Sequence, residues 1–208
     1  MKDYTVGIFH NKMTIHDFID KYQNQEKYIV YCRNCPNYNN RWSCPPLSFD
    51  VNEYLNKYNW IYLIAKKIDL SAELIKRTDT VQKIKQATYD ILWPEKSDLA
   101  EKLLSLEAIY PSSISLSAGG CSLCQNCART TNEPCRFPNK MRYSLDSFGF
   151  DLSAITRDLL GYEIKWCKDR LPDYYTLVHA LLTKNELPSD AITQQIFLSA
   201  PTVGDIQS

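Results

Sequence analysis

Seven of the eight cysteines in this chain fall into two tight groups. The first is Cys32-x2-Cys35-x8-Cys44, within CRNCPNYNNRWSCPP. The second is Cys121-x2-Cys124-x2-Cys127-x7-Cys135, within GGCSLCQNCARTTNEPCRFP. Thiolates at i, i+3 and i+6 suit a chain that wraps an iron–sulfur cubane and offers one thiolate to each of three irons. The bacterial ferredoxin run uses the same spacing, with a further cysteine followed by proline. Structural zinc more often takes one CxxC pair and completes its site with a second pair or with histidines. Two of the six glycines, Gly119 and Gly120, directly precede Cys121. Glycine there permits a sharp turn and a close approach of backbone to an inorganic core, and loop N–H groups can hydrogen-bond its sulfurs.

These spacings predict that Cys121, Cys124, Cys127 and Cys135 bind one [4Fe–4S] cluster. Cys32, Cys35 and Cys44 supply three thiolates to a second metal site. If that site is also a cluster, one iron either lacks a cysteine or is closed by another residue, with Cys167 the first candidate and His10 or His16 behind it. A ferredoxin-like exchange, with Cys135 serving one cluster and Cys167 the other, is a further arrangement. Zinc is the alternative cofactor, and a thiol redox pair at Cys32/Cys35 or Cys121/Cys124 is the alternative chemistry. Neither pair opens a helix of the thioredoxin kind, where a thiol is acidified. Cys167 on its own reads more readily as a small buried hydrophobe than as a ligand, and His179, inside an apolar run, as a core histidine. Arg41, Trp42 and Arg136 flank the cysteines, either to offset cluster charge or as ordinary loop packing.

The composition narrows the setting. The 208 residues carry 24 basic and 24 acidic side chains, a balance with no electrostatic pull toward nucleic acid or an acidic membrane. The first residues, MKDYTVGIFHNKMTIHDF, hold no apolar core behind a basic start, and Trp60 to Ala65 is the longest apolar run. A span needs about 20 apolar residues, so a cytoplasmic protein is expected. In a reducing compartment clustered cysteines are metal ligands or redox groups rather than disulfides. No phosphate loop, nucleotide fingerprint or Ser–His–Asp pattern is present.

The elements that must position these loops follow from hydrophobic periodicity. Tyr4 to Phe9 reads as a short strand and Met13 to Tyr22 as a helix that Thr14 or Asp17 starts. YIVYC (28–32) reads as a strand or extended lead-in to the first loop, and Asp50 caps a helix through Tyr58. WIYLIAKKIDL (60–70) is a strand. A helical region from Thr80 to Ile109 is expected to kink or divide at Pro94. SISLSA (113–118) is a strand feeding the second loop, and Asp151 to Leu160 a helix stopped by Gly161. YEIKWC (162–167) and YYTLVHALLT (174–183) complete a count of about five strands. The expected fold is one domain, residues 1–208, an α/β or α+β sandwich. Its metal-binding loops, 32–46 and 119–138, sit at strand ends, and residues 187–208 form a docking tail.

The paired motifs C-x2-C-P-x-Y-x3-W-x-C-P-P and A-G-G-C-x-L-C-x2-C, followed by C-R-x-P, resemble the cysteine-rich predicted metal-binding proteins of domain of unknown function 2284. The resemblance runs from about residue 28 to 180 and includes Met141 to Asp146 and the Phe148-Gly149 step into Asp151. Phe137 stands where the family often has His, and Gly120 where it often has Pro. It implies metal binding and brings no reaction. The functions expected are therefore a redox protein working with a partner protein or a cluster-dependent enzyme acting on a small molecule. A zinc-stabilised interaction module and a thiol-based oxidoreductase are the alternatives.

Overall fold

The structure, a computed structural model, describes residues 3–197. Four antiparallel strands, β1 (Tyr4–Thr14), β2 (Trp60–Leu70), β3 (Ser113–Leu116) and β4 (Tyr174–Thr183), form one sheet in the order β1-β2-β4-β3. The long central strands are the apolar runs recognised in the sequence. β2 is buried along most of its length because both of its edges are paired and both of its faces are covered. The fold is thus α+β.

One face of the sheet, bearing Ile61, Leu63, Ala65, Val178, Ala180 and Leu182, packs on α1 (Ile15–Tyr22), α3 (Val51–Leu55) and α6 (Leu152–Ile155). Thr14 starts α1, its hydroxyl accepting from the Asp17 N–H, and Asp50 caps α3 in the same way through Glu53. The opposite face lies under the long helix α5 (Val81–Ile109), with α4 (Ala72–Arg77) at one end. The expected kink or break does not divide α5, which runs as one helix through Pro94. Pro94 leaves the Asp90 carbonyl without its helical donor, but both residues are exposed, so water can take the bond. At the other end α7 (Ala191–Phe197) rests Ala191, Ile192 and Ile196 on Leu99 and Leu103. The anticipated docking of the tail is visible to that extent; residues 198–208 lie outside the described residues.

Two segments expected to be extended are not strands among the described residues: YIVYC, read as a strand or lead-in, and YEIKWC, whose loss takes the count from five to four. YIVYC belongs to a helix, α2 (Gln25–Arg33). The Asn24 side chain accepts from the Lys27 N–H, closing the first turn locally, so the β-branched and aromatic residues never need a pairing partner. The first cysteine loop therefore follows a helix, and only the second follows a strand. YEIKWC has no ladder hydrogen bonds and is irregular. Tyr162 instead docks its ring against Phe9, 5.0 Å between centroids, and against Tyr174. Asp151 to Leu160 is helical throughout, α6 followed by a wider π-type turn over Thr156–Leu160, ending at Gly161 with φ 79°.

The turn carrying Phe150 into the core depends on Gly149. Its φ is +79°, its carbonyl accepts from the Asn24 N–H, and a Cβ there would lie 2.7 Å from Gln25 Cα. Gly149→Ala therefore combines left-handed strain with a backbone collision. A loss of about 1–3 kcal/mol in urea unfolding is expected from such strain, and an unchanged midpoint would refute this reading of the turn.

Candidate metal centre

The second cysteine loop begins where β3 leaves the sheet. Ser117 exchanges the ladder for a bond from its N–H to the Tyr143 carbonyl, 2.7 Å, and Gly119 turns the chain at φ 63°. From there to a short turn of 3-10 helix at Ala128–Thr131 the backbone is irregular. Irregularity frees the chain to fold its side chains inward. Cys121, Cys124, Cys127 and Cys135 all line one small cavity of about 20 Å³, together with Arg41 and Trp42 from the first loop. Among the described residues, no carboxylate or imidazole lines it. All eight cysteines are free thiols. A donor set of thiols alone fits a soft or borderline metal and not a hard oxygen-seeking cation. Among the described residues, no three His, Cys, Asp or Glu side chains form a group already able to hold a single metal ion.

Electrostatics around Cys121 are mixed. Burial pushes its thiol up, while an N–H bond from Leu123 and the nearby Lys96 ammonium pull it back toward the thiolate. An N–H to sulfur bond of this kind stabilises a ligating thiolate.

The three thiols of the first loop form a separate group. Cys32 is half-buried and faces Cys44, Cys35 and Asp146. Desolvation first, then the negative charge of Asp146, pushes it up to about 11. Burial also raises Cys44, partly offset by its contact with the Ser43 hydroxyl at 3.8 Å. Asp146 opens the turn leading to Phe148 and Gly149, and its carbonyl faces the Cys32 sulfur at 3.9 Å. Of the residues proposed to complete this group, Cys167 packs beside Ile68 and Tyr175 on the α5 face, its sulfur 3.6 Å from the Arg170 carbonyl, and lines a cavity shared with Asn37, Gly119 and Gly120. His10 lies on β1, and His16 at the start of α1 faces Asp17 and Asp20.

The two loops are bolted together. Arg41 donates to the Cys121 carbonyl at 2.6 Å, and the Cys121 N–H donates to Ser43 Oγ at 2.8 Å. Trp42 donates its indole N–H to the Glu133 carbonyl. Arg129 spreads its guanidinium over four acceptors of the first loop: the carbonyls of Arg41, Cys44 and Pro46 and the side-chain oxygen of Asn39. Arg136, by contrast, serves its own loop through the Asn126 carbonyl. Where the loops meet, a Cβ on Gly120 would stand 3.2 Å from the Cys44 sulfur, so the two thiol groups are separated there by bare backbone.

Sequence reasoning reached the thiols but gave no role to Arg129, Asp146 or Lys96. Arg129 carried no pattern of its own, and Asp146 entered only as the end of the Met141 to Asp146 stretch shared with the family. Lys96 did offer a faint signal, in the polar run Glu95-Lys96-Ser97-Asp98 that interrupts the apolar stripe of α5 just after Pro94.

Fold and thiols together define a cysteine-rich α+β protein. The chain belongs to the family described as predicted metal-binding protein (DUF2284), which matches residues 19–182. No curated protein and no solved structure matches it.

Because each Arg129 bond is charge-assisted, removing them strands several acceptors at once. Arg129→Met is expected to cost at least about 2 kcal/mol and to open residues 32–46 and 119–138 to limited proteolysis together. Cleavage confined to one loop would show that Arg129 does not couple them.

Proposed function

We propose that this protein carries a [4Fe–4S] cluster on Cys121, Cys124, Cys127 and Cys135 and acts in redox chemistry in the cytoplasm. The observation carrying this reading is the gathering of those four thiols, from residues spaced i, i+3, i+6 and i+14, around one cavity free of oxygen and nitrogen ligands. When bound, such a cluster supplies one-electron transfer at a potential set by its charge, hydrogen bonds and solvent exposure.

The chain's own residues fit that task. Lys96 and Arg41 stand beside Cys121 and offset the negative charge of thiolates, and the Leu123 N–H holds a sulfur. Trp42 and Phe137 wall the cavity. Cys32, Cys35 and Cys44, with Asp146 adjacent, form the candidate for a second metal group. With Gly120 as the contact, that group would lie close enough to the first to exchange electrons. A partner protein or a small molecule would be the other party to the reaction.

Anaerobically prepared protein is expected to be brown and to contain about four iron and four acid-labile sulfide per cluster. Zinc in place of iron would overturn the proposal in favour of a structural metal module. Cys124→Ala is expected to lose the iron held by the second loop, and Cys44→Ala about half the total if both groups carry clusters. Unchanged iron in Cys44→Ala would remove the second cluster.

Metal removal provides a separate check. Neither loop has the regular structure or apolar burial to order itself, and ligation energy becomes folding energy in such segments. Complete removal is expected to lower the melting temperature and expose residues 32–46 and 119–138 to protease. An unchanged melting curve would contradict it.

A further inference from the structure

The apolar packing between α5 and the sheet is split in two. Leu99, Leu103 and Leu106 cover Tyr62, Ile64 and Leu181, whereas Ile84 and Ile91 cover Ile68, Tyr175 and Leu177. Between them lies a polar belt of Lys66, Lys96 and His179. Lys66 is answered by two carboxylates: its ammonium bonds Glu95 at 2.7 Å and Asp98 at 2.6 Å. His179 is not. It is wholly buried, and neither ring nitrogen has a hydrogen-bond partner among the described residues. Desolvation first, then the Lys96 and Lys66 charges, push it down to about 3, so its ring is neutral, with one N–H and one lone pair. Leaving such groups buried and unpaired costs about 1–3 kcal/mol each.

The register explains why there is room beside it. β3 pairs Leu116 with Ala180 and then peels away, one residue before Ser117 would lie opposite His179. A cavity of about 290 Å³ opens there, near the lower end of the ~300–1,000 Å³ typical of small-molecule sites. His179 and Lys96 lie in its wall, and Leu103, Leu104 and Leu123 make it predominantly apolar. Its charge is simple. Arg142, also in the wall, is held by both oxygens of Glu107. Glu101 and Lys140 are exposed and of opposite sign. That leaves Lys96, half-buried, with one ammonium proton on the Gly120 carbonyl at 2.6 Å and no carboxylate bonded to it. Cys121 and Leu123 belong to both this cavity and the thiol cavity, so the two are neighbours.

The geometry points to a binding site for a small organic monoanion, a carboxylate with an apolar body. Its head would lie between the Lys96 ammonium and the His179 N–H, and its body against Leu103, Leu104 and Leu123. A single part-buried ammonium with no carboxylate bonded to it suits a monoanion better than a phosphate dianion. The leucine wall has no use for a fully polar ion. The inference goes beyond the redox proposal and does not depend on which metal the thiols hold.

The test is calorimetric titration of the anaerobically purified full chain with hexanoate, with hexanamide and inorganic phosphate as comparators. Saturable hexanoate binding is expected, weaker by about tenfold or more in Lys96→Met and His179→Phe, since each removes a bond to a charged group. Leu104→Trp, which fills the cavity without touching its polar end, is expected to abolish binding while the melting temperature is kept. Hexanamide is expected to bind about tenfold more weakly than hexanoate on the same grounds. Absence of saturable binding by straight-chain carboxylates from butanoate to octanoate would overturn the inference. So would phosphate or hexanamide binding as tightly as hexanoate, or Leu104→Trp binding as well as the parent protein. Hexanoate binding by protein found to hold zinc would support this site while overturning the cluster.

Discussion

Two long loops with almost no regular structure meet in this protein, and one guanidinium joins them at four points. Arg129 comes from the second loop, and every acceptor of its guanidinium is in the first. Loop backbone of this kind can neither bury itself nor pair itself, and unpaired backbone acceptors are costly to shield from water. A planar fork with five donors satisfies several such acceptors from one position, which a lysine's point charge does not. The placing of Arg41 and Trp42 over the second loop's thiols, and the contact of Cys44 with Gly120, follow from that junction. Sheet and helices deliver the loop ends to the right place; the guanidinium decides how the loops face each other.

Much of the framework was legible because it rests on patterns with a short period. β2 and β4 are continuous apolar runs, as strands buried on both faces must be, and α5 shows its stripe of Ile84, Ile91, Leu99, Leu103 and Leu106. The misread segments are those in which side-chain preference and backbone partnership disagree. YIVYC is rich in residues that favour strands, but Asn24 closes a helical turn before any strand is within reach. YEIKWC alternates as a strand should, yet its aromatic residue finds a ring to dock against rather than an edge to join.

The site divides in the same way. The thiols stand out in the sequence because their spacing is local. Their company does not, since Arg129 lies 85 residues from Cys44 in the chain and His179 is brought to Lys96 only by the sheet. Asp146 reaches Cys32 across 114 residues, in a turn whose own sequence gives no hint of a sulfur neighbour. Long-range pairing of this sort is written in register and crossing geometry rather than in any motif.

The buried ion cluster at Lys66 also fixes how far α5 has slid along the sheet. A shift by one helical turn, about 5.4 Å, would replace Glu95 and Asp98 with Ile91 and Pro94 in one direction, or with Leu99 and Lys102 in the other. Each alternative leaves an ammonium in the interior with no carboxylate, a penalty of several kcal/mol. Apolar stripes alone would tolerate such slippage, because leucine packs against isoleucine almost anywhere along the groove. Lys66 thus acts as an index pin for the longest helix. By holding that helix in one position it also holds Lys96 against the Gly120 carbonyl, so a charge in the middle of the sheet sets the alignment of the loop that carries the thiols.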